Sequence, residues 1–172
     1  MLARPMGSIR GAIEQVTGYL ADHPEEALET DAVATASCED GLRIRVRGPS
    51  GEVVTDMATM VGGGATAPSP GWMLRAALAS CDATVVAMEA ARAGIELTEL
   101  TVTVDSDSDN RGLLGLDGDV PPGPLAVRVR IELAASNADA AQLRELVERA
   151  EERSPVRDAL QRSVPMTTEI VT

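Results

Sequence analysis

Apolar positions recur at spacings of four and three along residues 69–94, where Leu74, Leu78, Cys81, Val85 and Met88 make one seam. The spacing predicts a single long helix. Ser69 can accept a hydrogen bond from the first turn, and Pro70 suits the first helical position. Gly94 can take the left-handed conformation that ends a helix, with Ile95 folding back on the last turn. The other faces are mostly alanine, and the charges are Arg75, Asp82, Glu89 and Arg92. So few charges predict a helix covered on most sides, with small residues letting its neighbours approach closely.

Before it, residues 8–27 place Ile9, Ala12, Ile13, Val16 and Leu20 on one face, with Ser8 as the expected cap. His23-Pro24 should break this helix, because the residue before proline avoids the helical region. Residues 32–37 read as a short strand and Cys38 to Gly41 as a turn. Leu42, Ile44 and Val46 then alternate with Arg43, Arg45 and Arg47, and a turn at Pro49-Ser50-Gly51 leads to a third strand over 52–57. This is an antiparallel meander with one apolar face.

After the central helix, residues 97–105 and 125–134 alternate as strands around a long polar loop. Asn137 is the expected cap of a helix running to about Arg153, with Leu143, Leu146, Val147 and Ala150 inward. Ser154-Pro155 should start a short helix with Val156, Ala159 and Leu160 inward, and residues 164–171 read as a closing strand. The order predicts an α+β fold, with antiparallel sheets around a long central helix. Residues 1–30 read as a helical extension on a domain spanning 31–172.

Composition narrows the function. The 172 residues are 44% hydrophobic but include no Phe, one Trp and one Tyr, so the core must be aliphatic. A net charge of −12 disfavours nucleic acid and anionic membranes, which need basic patches. Two cysteines make no disulfide framework and suit a cytoplasmic protein. Neither a signal peptide nor a membrane span is expected. One histidine, His23, rules out a Cys-His or Ser-His relay of any conviction, and no metal-ligand spacing is present, so no cofactor is expected. The Gly62-Gly63-Gly64 loop lacks the lysine and Ser/Thr of a phosphate-binding loop. The arginine face of 43–47 reads as a solvated surface answered by carboxylates, in preference to an anion site.

Cys81 is the one central group with nucleophilic or redox potential. A buried free cysteine is commonly a small apolar residue, and it becomes reactive only where a cation or convergent donors favour the thiolate. Asp82 beside it would disfavour a thiolate, although neighbouring residues on a helix point about 100° apart.

The segments PGWMLRAALASC, RAGIELTELTVTVDSDSDNRGLLGL and LVERAEERSPVRDALQRSVPM, with the approach GPSGEVVTDMATMVGGGATAPSP, resemble the OsmC/Ohr family in order. The resemblance runs from about residue 32 to the end. It implies an OsmC-like fold built as an intertwined homodimer with two sites at the interface. It also implies a thiolate that reduces hydroperoxides and a second cysteine that closes a disulfide. An arginine and a glutamate would hold and activate the thiolate.

Residue by residue, Cys81 matches the family's first cysteine. Ser154 stands where the second should be, and Gly71 and Trp72 stand where the glutamate should be. Arg45 is the candidate thiolate-stabilising arginine. The reading is a thiol-dependent (hydro)peroxide reductase acting through Cys81, with an external thiol or Cys38 completing the cycle. The alternative is a non-catalytic or small-ligand-binding homodimer with Cys81 packed in its core and Trp72 and Met73 lining an apolar pocket.

Overall fold

The computed structural model describes residues 6–172. In chain order it forms α1 (Met6–Asp22), β1 (Thr35–Asp40), β2 (Arg43–Gly48), β3 (Gly51–Thr55), α2 (Pro70–Ala93), β4 (Leu97–Ser108), α3 (Asn110–Leu113), β5 (Pro124–Ala135), α4 (Ala140–Glu151) and α5 (Pro155–Gln161). Short 3-10 turns lie at Pro24–Glu26 and Thr59–Val61. β1, β2 and β3 make one antiparallel sheet, and β4 pairs with β5 in another. The mixed, antiparallel architecture is the one the alternation predicts. The described chain forms two compact units, Glu14–Ala76 and Ala77–Thr172 together with residues 6–13.

α1 begins at Met6, two residues ahead of Ser8, and His23-Pro24 ends it as expected. β1 lies three residues later than the pattern suggested. Cys38 is therefore in the strand, and the turn falls at Gly41 and Leu42, with Gly41 at φ +54. The three arginines are answered by carboxylates. Arg43 and Arg45 pair with Glu39, and Arg45 and Arg47 pair with Glu52. The Arg45 hydrogen bond holds the Glu39 carboxyl below its ordinary range.

The glycine loop binds an anion of its own chain. The buried Asp56 carboxylate accepts from Met57 N at 2.8 Å, Gly64 N at 3.2 Å, Thr66 N at 3.0 Å and Thr66 Oγ1 at 2.8 Å. Those donors hold its carboxyl at about 2, the two Thr66 bonds contributing most. Gly63 is required there, since a Cβ would come within 2.0 Å of Met57 O.

The second unit carries the aliphatic core. Val85, Val86 and Ala90 of α2 pack with Ile95, Leu97, Leu146 and Ala150, and β4 and β5 add Leu100, Ile131 and Leu133. α2 ends as its glycine predicts: Gly94 has φ +69, Ile95 N donates to Ala90 O at 2.9 Å and Gly94 N to Ala91 O at 3.3 Å. β4 runs on to Ser108, and the expected loop folds around α3, where a Cβ on Gly112 would meet Pro121 O at 2.3 Å.

Three expectations fail in this unit. Asp139, not Asn137, caps α4, in a reciprocal box with Gln142. Asn137 instead accepts from Glu96 N and donates to Gly94 O, tying the end of α2 to the start of α4. Ala159 and Leu160 are exposed. Residues 164–171 form no strand, because no neighbouring backbone in the described chain pairs with them; Met166 is 91% exposed and Val171 87%.

Candidate functional site

α2 buries a stripe that the apolar seam alone does not show. Leu78, Asp82, Val85, Val86 and Glu89 are all buried, so two carboxylates lie on its covered face. Cys81 is half-buried and packs against the core beside them. Facing this stretch is the junction of α4 and α5. Pro155 fixes the start of α5, and Ser154 becomes its cap, accepting from Arg157 N at 3.4 Å. The cap is 1% exposed.

Ser154 Oγ lies 3.3 Å from Cys81 Sγ and 2.6 Å from Asp82 Oδ1. Arg157 Nη2 donates to Asp82 Oδ2 at 2.6 Å and also reaches Glu151 Oε1 at 3.1 Å. Arg157 Nε is buried and has no hydrogen-bond partner among the described residues. A hydroxyl has one proton and two acceptor positions. The short bond to an ionised carboxylate commits that proton to Asp82. With that proton given to Asp82, the hydroxyl cannot at the same time donate to the sulfur 3.3 Å away. Cys81, Ser154 and Asp82 thus lie in one hydrogen-bonded row, closed by Arg157.

Of the residues singled out from the sequence, this geometry brings Cys81 and Ser154 together. Gly71, Trp72 and Arg45 belong to the other unit. Gly71 is in the first turn of α2 with open space: a Cβ there would have Ser69 Oγ at 3.9 Å and Arg75 Nη1 at 4.0 Å. Trp72 is exposed and Met73 half-buried. Arg45 is engaged by Glu39 and Glu52. Cys38 is exposed on β1, its thiol donating to Gly41 O at 3.2 Å. Sequence reasoning missed Asp82 as a buried partner and Arg157 altogether. The available signal was a pair of carboxylates seven residues apart on an otherwise apolar helix, which puts both on one face.

The profile of the family described as OsmC-like protein matches residues 62–169. The chain belongs to that family. Solved structures agree on the fold. An OsmC-like protein from Mycoplasma pneumoniae superposes with a TM-score of 0.66 at 16% identity, covering 78% of this chain and 89% of that one. An organic hydroperoxide resistance protein from Legionella pneumophila gives 0.57 at 18% identity, covering 78% and 91%. One from Bacillus subtilis gives 0.51 at 20%, covering 77% and 91%. No protein of curated function matches the sequence. No helix among the described residues is long and apolar enough to cross a membrane.

Ser154, which the resemblance sets against the family's second cysteine, has its hydroxyl 3.3 Å from Cys81 Sγ.

Proposed function

We propose that this OsmC-like protein is a homodimeric, thiol-dependent hydroperoxide reductase in which Cys81 is the only cysteine of the reacting centre. The observation that carries it is the 3.3 Å approach of Ser154 Oγ to Cys81 Sγ, at the position where the family pairs two cysteines. Ser154 cannot form a disulfide, so the cycle runs on an external thiol. Sulfur attacks the terminal peroxide oxygen and the O–O bond breaks. Cys81 becomes a sulfenic acid, and the thiol proton ends on the departing alkoxide as an alcohol. One external thiol then condenses with the sulfenic acid to give a mixed disulfide and water. A second attacks that disulfide, restoring the Cys81 thiol and leaving an oxidised thiol pair.

Turnover is slow, since the Asp82 carboxylate beside the sulfur disfavours the negative charge of a thiolate, which a cationic neighbour would favour. The test is hydroperoxide consumption with dithiothreitol as reductant. A Cys38→Ser protein should consume an alkyl hydroperoxide, and a Cys81→Ser protein should not. Equal, background-level rates in both would remove the enzymatic reading.

The second reading is a non-catalytic or ligand-binding OsmC-like homodimer. The observation on its side is that Cys81 packs against the aliphatic core while its hydrogen bond is satisfied internally.

A further inference from the structure

Glu89 lies on the covered face of α2 with its side chain 5% exposed, and three arginines surround it. Arg153 Nη1 is at 2.7 Å, Arg92 Nε at 3.6 Å and Arg149 Nε at 3.9 Å. Only the first distance is within hydrogen-bond range. One arginine is enough to neutralise one buried carboxylate. Arg92 and Arg149 have no closer partner among the described residues. Their planar forks border an open cleft of about 360 Å³ lined by Glu89, Arg92, Ala93, Arg149 and Arg153.

The charge at this place does not cancel. Three guanidiniums carry three positive charges and Glu89 one negative. The C-terminal ends of α2 and α4 add roughly half a negative charge each. Among the lining groups and the two helix ends, about one positive charge remains, on a chain whose net charge is −12. A guanidinium presents donors in a fixed fork that matches carboxylate and phosphate oxygens, and two such forks beside one cleft define a planar or tetrahedral oxyanion as the complement. Glu89 is eight residues beyond Cys81, about 12 Å along the helix axis, so the cleft is separate from the thiol.

The geometry points to the Arg92, Arg149 and Arg153 cleft as a binding site for a small phosphate-type oxyanion. Arg153 anchors Glu89, and Arg92 and Arg149 supply the donors to the ligand. This is independent of whether Cys81 reduces hydroperoxides.

The experiment is calorimetric titration of the full chain with inorganic phosphate at constant ionic strength, with sodium chloride as the blank. The expected result is saturable binding that weakens by about tenfold or more in an Arg92→Gln/Arg149→Gln variant. That variant keeps the Arg153–Glu89 pair, so the buried carboxylate stays compensated. An Arg92→Lys/Arg149→Lys variant keeps the charge but loses the forks, and it should bind more weakly than the parent. Circular dichroism and sedimentation should show unchanged fold and mass in all three. The proposal is overturned if no saturable binding occurs in the millimolar range, if the Gln variant binds as the parent does, or if the Lys variant matches the parent, which would reduce the effect to charge screening.

Discussion

Ser154 Oγ lies 2.6 Å from Asp82 Oδ1, a bond between residues 72 positions apart that leaves Cys81 facing a hydroxyl oxygen whose proton is already given away. The cap of a seven-residue helix thus sets the hydrogen-bonding state of a thiol in the middle of α2.

The same approach predicts what a cysteine would do at the cap. Ser154→Cys puts a sulfur where an oxygen now lies 3.3 Å from Cys81 Sγ, and a disulfide closes at about 2.05 Å. In a Cys38→Ser background, one equivalent of oxidant should consume both remaining thiols and lower the intact mass by two hydrogens. Two titratable thiols persisting after oxidation would show that position 154 is not a working second-cysteine site.

Asp82→Ala removes the acceptor that holds the hydroxyl proton. Ser154 is then free to donate to sulfur, and iodoacetamide should alkylate Cys81 faster at pH 7. The variant should also lose about 3 kcal/mol of stability in urea, because Arg157 keeps only Glu151 as a charged partner. An unchanged alkylation rate in a folded variant would mean that the hydroxyl proton does not govern the thiol.

Asp56 gives a pH prediction. Its folded carboxyl titrates at about 2, below the ordinary 3.8. A depressed carboxyl contributes stability that is present above its ordinary value and lost as pH falls through the folded value. The parent should therefore lose more resistance to urea between pH 4 and pH 2 than an Asp56→Asn variant does. Parallel losses in the two proteins would contradict the role given to the Gly64 and Thr66 donors.

Exposed apolar side chains outside the core, Leu160, Val164, Met166, Ile170 and Val171 among them, argue for a second copy. Sedimentation at micromolar concentration should give twice the 17.9 kDa chain mass. Obligate dimer interfaces bury on the order of 2,000 Å² or more, so a stable, folded monomer would exclude this assembly.

The sequence by itself determined the elements with strong periodicity and explicit ends. α2 is legible from Pro70 to Gly94 because proline and a left-handed glycine act locally, whatever packs around them. The alternation of β2, β4 and β5 is legible for the same reason: each strand's two faces are written in its own residues. Tertiary structure decided the rest. Asn137 and Asp139 are equally good caps on paper, and only the contact of Asn137 with Gly94 and Glu96 assigns the cap to Asp139. Residues 164–171 have a strand's pattern, but a strand exists only where another backbone accepts its hydrogen bonds. In the sequence Asp82 and Glu89 are two of the four charges of α2, and nothing local says which of the four are buried. These two are buried because Arg157 and Arg153 reach them from the α4–α5 region, a pairing across more than sixty residues that no local pattern encodes.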